Sequence, residues 1–100
     1  MYNTINEKVS SAFYRDAPLS VGNTTITKFE GRILFILYGH TIAVKDIEYG
    51  TLTLDTCGYP TRTTISRLNL IDGVNVYTRK GKLYLNGKEW DGEKVKLAIK

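Results

Sequence analysis

Nucleophilic catalysis would have to rest on two residues, because the chain contains one histidine, His40, and one cysteine, Cys57. A thiolate activated by a neighbouring imidazole is a common enzymatic nucleophile. Both residues fall at predicted turns, and no local pattern indicates the lowered pKa that a reactive thiol requires. We therefore interpret Cys57 as a small structural side chain and His40 as a turn residue, and we expect the protein not to be an enzyme.

Metal and cofactor chemistry also lacks a sequence pattern. A structural zinc site takes about four cysteine or histidine ligands, which is more than the chain contains. Two acidic pairs occur, Asp46/Glu48 and Glu89/Asp91. Neither pair lies within a longer acidic loop that has the ligand spacing of a calcium site. A phosphate-binding loop of the form GxxxxGKS/T is absent. The sequence therefore predicts neither a metal site nor a cofactor.

An anion could bind where a turn at Gly58 leads into a short helix. Backbone N–H groups at a helix start, threonine hydroxyls and Arg62 are donors that suit a phosphate. The candidate residues of this anion site are Gly58, Thr61, Thr63 and Thr64. The alternative is that the threonines only cap the helix, because threonine is also a common N-cap residue.

A second binding surface is indicated in residues 74–86, where basic and aromatic residues alternate with apolar ones. With the turn at Lys80-Gly81, the register places Tyr77 opposite Tyr84. The tyrosines could stack nucleobases while basic residues contact phosphates. The alternative is a cross-strand tyrosine pair that only stabilises an exposed sheet face. The basic residues assigned to this surface are Arg62 and Arg67 on the helix and Arg79, Lys80 and Lys82 on the hairpin.

The scaffold that positions these residues is predicted to consist of short strands. Residues 32–38, RILFILY, are apolar at nearly every position, which is typical of a strand covered on both faces. A turn at Gly39-His40 is expected to follow. Residues 51–55 alternate Thr with Leu, which indicates a half-buried strand. The fold class is therefore mainly β, a small antiparallel barrel or sandwich with one short helix at about residues 61–69. A sheet crossed by one helix is the alternative.

One hundred residues suit a single domain with a modest core. Residues 1–18 are predicted to form an N-terminal arm or short helix, residues 19–100 a single β-rich domain, and residues 93–100 a basic tail within it. The residues assigned to the core are Ile33, Phe35, Leu37, Ile42, Val44, Leu52, Leu54, Ile65, Leu68, Val76 and Leu85.

The formal net charge of +4 is concentrated in the second part of the chain. Residues 1–59 hold five Lys/Arg and six Asp/Glu, whereas residues 60–100 hold nine and four, a net charge of +5. Such a basic region favours an acidic partner, namely nucleic acid or an acidic host protein surface, although a solvated surface is the alternative. A single cysteine, no visible export signal and no long apolar run favour a cytoplasmic protein without a membrane segment.

Residues 50–69 contain a Gly-x-Leu-x-Leu run, a Gly-aromatic pair, Thr-x-Thr-Thr and Arg-Leu-Asn. The residues that carry this pattern are Gly50, Leu52, Leu54, Gly58, Tyr59, Thr61, Thr63, Thr64, Arg67, Leu68 and Asn69. The segment resembles small, mostly uncharacterised bacteriophage accessory proteins, and the resemblance extends over residues 31–92. It implies no settled activity. It implies an accessory gene product in the cytoplasm of an infected bacterium, and such products commonly bind nucleic acid or a host protein.

The charge distribution, the candidate surfaces and the resemblance lead to one leading hypothesis. The chain is expected to be a non-enzymatic phage accessory protein that contacts nucleic acid through a basic helix/hairpin face. The alternative is a protein-binding inhibitor or modulator of a host enzyme or defence complex, which would place the same residues on an acidic protein surface.

Overall fold

The computed structural model describes residues 4–98, which form two helices and nine strands. Residues 1–3 of the predicted N-terminal arm and residues 99–100 of the predicted domain lie outside the described residues. The elements in chain order are α1 (Thr4–Tyr14), β1 (Leu19–Val21), β2 (Thr24–Phe29), β3 (Arg32–Leu37), β4 (His40–Asp46), β5 (Thr51–Leu54), α2 (Arg62–Leu68), β6 (Val76–Arg79), β7 (Lys82–Leu85), β8 (Lys88–Glu89) and β9 (Val95–Ala98).

The strands form two antiparallel sheets. The large sheet has six strands in the order β1-β2-β3-β4-β5-β9, and the small sheet has three in the order β6-β7-β8. The prediction of a mainly β antiparallel fold is confirmed, and the arrangement is sandwich-like because the sheet does not close into a barrel. Residues 4–98 contain two short helices where one was expected, and α2 lies within the predicted residues 61–69. The prediction of a basic tail at residues 93–100 was wrong, because residues 95–98 form β9, which pairs with β5.

Several hairpins turn on two residues that both have positive φ. This is the conformation of a type I′ turn, whose twist matches that of the flanking strands. It occurs at Glu30-Gly31, Tyr38-Gly39, Lys80-Gly81 and Asn86-Gly87. The turn predicted at Gly39-His40 was wrong by one residue, because His40 already pairs with Leu37 as the first residue of β4.

The large sheet buries one face in the core. Ile26, Ile33, Phe35 and Leu54 point inward, and each is at most 1% exposed. The residues between them along the strands form the opposite side, which we call the outer face. Its central members are half-buried: Thr25, Thr27, Leu34, Ile36, Thr41, Val44, Thr51 and Thr53. The apolar residues among them do not belong to the core cluster.

A bulge in β4 explains why one predicted core residue lies on the outer face. Phe35 pairs with Ala43 and Ile36 pairs with Thr41, so that Ile42 has no partner on β3. Ile42 and Ala43 are consecutive and both buried. Alternation then resumes with Val44 on the outer face, where the prediction of a core position was wrong.

The other elements pack on the inward face and complete the core. The sequence missed the contribution of α1, whose Val9 and Phe13 are at most 2% exposed. Of the two α2 residues assigned to the core, Leu68 is fully buried, whereas Ile65 is half-buried and packs against the core. The remaining predicted core residues are buried: Ile33, Phe35, Leu37, Ile42, Leu52, Leu54, Val76 and Leu85.

Lys45 holds α1 against the large sheet. It lies on the inward face, and its Nζ donates to the main-chain oxygen of Phe13, near the C-terminus of α1. The same Nζ lies 2.6 Å from Asp16 Oδ1 and 4.8 Å from the centroid of the Phe13 ring. A cation at a helix C-terminus satisfies carbonyls that lack helical partners and complements the helix dipole. Lys45 therefore fixes the position of the helix on the sheet.

The assignment of the two faces predicts different costs for two substitutions in β5. Leu54 is fully buried, so Leu54→Ala should lower the free energy of unfolding by about 2–5 kcal/mol. Thr53→Ala, its neighbour on the outer face, should cost about 1 kcal/mol or less. Urea unfolding followed by circular dichroism measures both. Equal costs for the two variants would contradict the face assignment.

Candidate functional site

The segment that leads into α2 uses its threonines to begin the helix. Thr61 is the N-cap, with an extended backbone, and its Oγ1 accepts a hydrogen bond of 3.2 Å from the N–H of Thr64. The hydroxyls of Thr61 and Thr64 also lie 3.1 Å apart. These contacts support the capping explanation for both residues. Thr63 is half-buried and Gly58 is exposed. The anion site at these residues stays a prediction.

The two arginines of α2 differ in their surroundings. Arg62 is the first residue of the helix and is exposed. Arg67 is half-buried, and its Nε donates a hydrogen bond of 3.2 Å to Thr24 Oγ1 at the start of β2. Five residues along an α-helix correspond to about 140° of rotation, so the two side chains leave different sides of α2. Arg67 therefore links α2 to the large sheet, while Arg62 faces solvent.

The β6–β7 hairpin brings its aromatic and basic residues to one face. The predicted register is confirmed, because Tyr77 pairs with Tyr84 and Arg79 pairs with Lys82. The tyrosine rings are stacked, with centroids 5.3 Å apart and an angle of 9° between their planes. Both rings are half-buried, whereas Arg79, Lys80 and Lys82 are exposed. The hairpin thus presents a parallel aromatic pair beside three cations.

One acidic residue, which the sequence reasoning did not include, belongs to the same face. Glu89 on β8 pairs with Tyr84, and its Oε1 lies 3.6 Å from Lys82 Nζ. Both side chains are more than 60% exposed, so this ion pair contributes little to stability. The sequence carries a signal for Glu89, because Asn86-Gly87 is a strong hairpin-turn dipeptide that leads from Tyr84 into a further strand.

Contacts of Gly92 connect the start of the loop before α2 with the β6–β7 hairpin. The N–H and Oγ1 of Thr56 both donate to the carbonyl oxygen of Gly92, at 2.9 and 2.8 Å. A Cβ added at Gly92 would lie 3.0 Å from Thr56 Oγ1 and 3.4 Å from Leu83 Cδ2. The loop before α2 therefore begins close to Leu83 of β7.

A cleft of about 380 Å³ opens between the β3–β4 turn and the start of α2. His40 and Tyr59 contact each other at its edge, with ring centroids 5.2 Å apart. Tyr38 and Tyr59 are 66% and 56% exposed, although tyrosine usually buries its ring. Neither tyrosine is among the binding residues predicted from the sequence. Their positions beside glycines, in Tyr38-Gly39 and Gly58-Tyr59, were the signal that they stand in turns.

A larger groove of about 780 Å³ runs between α1 and the ends of β4, β5 and β9. Lys45 and Asp16 line it, together with Ser10 and Leu97. The charges of Lys45 and Asp16 are used in the contacts that hold α1. None of the sequence-predicted site residues lines this groove.

Cys57 is held as a thiol. Burial raises the pKa of the Cys57 thiol above its ordinary value, and the charge of Asp55 adds to this rise. Its Sγ lies 3.2 Å from the main-chain oxygen of Thr41, to which the S–H can donate. A protonated thiol is a poor nucleophile. These surroundings support the interpretation of Cys57 as a structural residue.

The predicted site residues are therefore distributed over two regions. Tyr77, Arg79, Lys80, Lys82 and Tyr84 lie together on the hairpin. Gly58, Thr61 and Arg62 lie around the start of α2, and Arg67 faces β2. No helix among residues 4–98 is long and apolar enough to cross a membrane.

Comparison with known protein families decides the origin of the chain. The family model of the Kyanoviridae Gp96 protein matches residues 2–96. The chain belongs to this family. The Kyanoviridae are cyanophages, so the expectation of a phage protein is confirmed, whereas the residue pattern in residues 50–69 is not tested by the match. No curated protein and no solved structure shows a significant match to the chain.

The surroundings of Cys57 predict its reactivity. Because the folded state raises the pKa of the thiol, alkylation of the native chain by iodoacetamide should be slow at neutral pH, with a midpoint above that of an ordinary cysteine. Mass spectrometry of the reaction at a series of pH values measures this midpoint. The same chain unfolded in urea is the control and should react with the midpoint of an ordinary cysteine. A native midpoint below that of the unfolded chain would indicate an activated thiolate.

Proposed function

We propose that the chain is a non-enzymatic phage accessory protein that binds single-stranded nucleic acid through a basic helix/hairpin face in the infected bacterial cytoplasm. The observation that carries this proposal is the parallel Tyr77–Tyr84 pair with exposed cations beside it. The basic face comprises this pair, Arg79, Lys80 and Lys82 on the hairpin, and Arg62 and Arg67 on α2.

The tyrosine pair suits the stacking of bases. Because the rings of Tyr77 and Tyr84 are parallel, each has one face against its partner and one face turned away from it. An unpaired base can stack on such a ring whatever its identity, since every base has a π-face. The rings are already held in place by the paired strands, so little side-chain entropy is lost on binding. A duplex offers no such unstacked bases, which favours single strands as the ligand.

The cations around the tyrosines suit the phosphate backbone. Arg79 and Lys82 lie on the same sheet face as the rings, and Lys80 stands in the turn that joins them. The contact of Lys82 with Glu89 is an exposed ion pair, which a phosphate can replace at small cost. Arg67 already contacts Thr24, so its part in the basic face is to hold α2 in place. We assign phosphate contacts to Arg62, Arg79, Lys80 and Lys82.

The absence of enzymatic activity is part of the proposal. It is supported by the protonated state of Cys57 and by the position of His40, whose ring contacts Tyr59. A nucleophile with a matched general base is the minimum for acyl or phosphoryl transfer by covalent catalysis.

The charge part of the proposal predicts a salt dependence. Four phosphate contacts on a single strand should give a slope of about −3 for the logarithm of the binding constant against that of the salt concentration. Arg79→Gln with Lys80→Gln should make this slope shallower by about 1.4, because two contacts are removed. Fluorescence anisotropy with a labelled oligonucleotide measures both slopes. Lys8→Gln with Lys28→Gln, which removes two exposed cations from α1 and β2, is the charge-matched control and should leave the slope unchanged.

The stacking part predicts a different effect for the tyrosines. Tyr84→Ala should weaken single-strand binding by about 1–3 kcal/mol and leave the salt slope nearly unchanged, because stacking releases few ions. Tyr84→Phe keeps the ring and should bind like the wild type. If the wild type fails to bind DNA and RNA oligonucleotides at low salt, the nucleic-acid proposal is wrong. The hypothesis of a protein-binding inhibitor of a host enzyme or defence complex then takes its place.

A further inference from the structure

The outer face of the large sheet is apolar at its centre, although it lies outside the core. Leu34 and Ile36 on β3 and Val44 on β4 form this centre, and all three are half-buried. They are separate from the core cluster, which includes Val9, Phe13 and Leu68 of the helices and Val76 and Leu85 of the small sheet. At one end of the face, Phe29 is 59% exposed. Adjoining apolar residues of this kind mark interaction surfaces when they lie on the surface of a soluble protein.

The residues beside the apolar centre on the neighbouring strands are uncharged, and the nearest charges on this face are Arg32 and Asp46, one cross-strand pair away. Threonines of β2, β4 and β5 flank it, and their methyl and hydroxyl groups can pack against another sheet without the cost of burying a charge. The charged residues of the face stand at its margin. Arg32 and Asp46 form an ion pair of 3.3 Å at the ends of their strands, and Lys96 lies on the edge strand β9.

These charges restrict the kind of partner. The ion pair of Arg32 and Asp46 is neutral as a unit. The N–H of Tyr49 and then Arg32 hold the pKa of Asp46 below its usual range, so that this carboxylate stays ionised. A nucleic acid would find no cationic surface at the centre, and a strongly charged protein would leave its own charges unpaired. The complementary surface is another nearly neutral, flat and apolar one, and the outer face of a second copy has these properties.

The size of the face is sufficient for such a contact. Its strands are three to seven residues long. With strands about 4.8 Å apart and a rise of about 3.3 Å per residue, the face measures about 500 Å². Two copies would therefore bury about 1,000 Å² in total, which is at the lower limit for a specific interface. An interface of this size is consistent with a reversible dimer.

The edges of the large sheet are less suited to self-association than its outer face. β1 has three residues and follows Pro18, and β9 carries Lys96 with Lys94 just before it. Short edge strands, proline and lysine are the features by which natural sheets avoid pairing edge to edge. No comparable charge interrupts the centre of the outer face, so the face itself is the surface left for association.

We infer that the chain forms a reversible homodimer in which the outer faces of two large sheets pack against each other around a twofold axis. Leu34, Ile36 and Val44 of each copy form the centre of the contact. Sheets that pack face to face stay about 10 Å apart and are rotated by about 30°, and side chains of this size fill that space. The inference is independent of the proposed nucleic-acid site, because the hairpin face lies on the opposite side of the sandwich.

Sedimentation-velocity centrifugation of the full chain between about 5 and 500 μM tests the inference. The wild type should change from monomer to dimer across this range, as expected for an interface of minimal size. Ile36→Lys and Val44→Lys should each raise the dissociation constant by about tenfold or more, since twofold symmetry places two ammonium groups in every interface. Tyr14→Lys is the matched control. It adds the same charge at a residue that is 71% exposed on α1, on the other side of the sheet, and should leave dimerisation unchanged.

A second measurement remains decisive if a lysine variant fails to fold. Amide NMR spectra of the wild type across the same dilution series should change at Leu34, Ile36 and Val44 and stay constant at Tyr77 and Tyr84. A monomer at about 500 μM, or dilution shifts confined to β9 or to the hairpin, would overturn the inference. The inference would also be overturned if the Ile36→Lys and Val44→Lys variants fold and still form the dimer.

Discussion

The large sheet packs against the other described elements through one face, and the rest of the structure depends on this constraint. The helices and the small sheet share one core because Phe13, Leu68, Val76 and Leu85 are buried against the same side. The small sheet therefore turns its second face, with Tyr77 and Tyr84, towards solvent. The opposite side of the large sheet is left with half-buried threonine, leucine, isoleucine and valine side chains. A chain of 100 residues forms a single modest core, and each sheet buries only one face in it. Both candidate surfaces, the hairpin face and the outer face, are the sheet faces that this core does not use.

Within this arrangement, one side chain positions the hairpin. Asn69, at the C-terminus of α2, accepts a hydrogen bond of 2.6 Å from the N–H of Val76 and donates one of 2.8 Å to the carbonyl oxygen of the same residue. The pair of contacts substitutes for a neighbouring strand at the edge of the small sheet and satisfies backbone groups that would otherwise be buried without partners. Because Tyr77 directly follows Val76 in the chain, the end of α2 sets the direction of the tyrosine pair.

The Arg-Leu-Asn sequence of residues 67–69 therefore has a structural explanation. Arg67 contacts β2, Leu68 fills the core and Asn69 binds β6.

The sequence was sufficient where a local pattern and a turn agreed. The hairpin register follows from the period of two and the Lys80-Gly81 turn, and the start of α2 follows from the capping hydroxyl of Thr61. It was insufficient where the pattern was uniform or the contact distant. Residues 33–38 show no alternation of polar and apolar side chains, so they could not indicate the bulge at Ile42 or the outward position of Val44. The pairing of β9 with β5 joins segments about forty residues apart, and neither segment signals its partner. For the site, composition indicated the cations of the hairpin, but the engagement of Arg67 with Thr24 depends on tertiary packing.

The positions of the two proposed surfaces restrict how a dimer could bind nucleic acid. If the outer faces of two large sheets meet, the two hairpin faces point away from each other, because each lies on the far side of its own sandwich. A short oligonucleotide could then contact the tyrosines of one copy only, and binding would be one strand per protomer without cooperativity. A longer strand could reach both hairpins only by passing around the dimer, and its gain in affinity would depend on its length and flexibility. Dimerisation through the outer face would therefore suit a protein that brings separate strands, or distant parts of one strand, to a common centre.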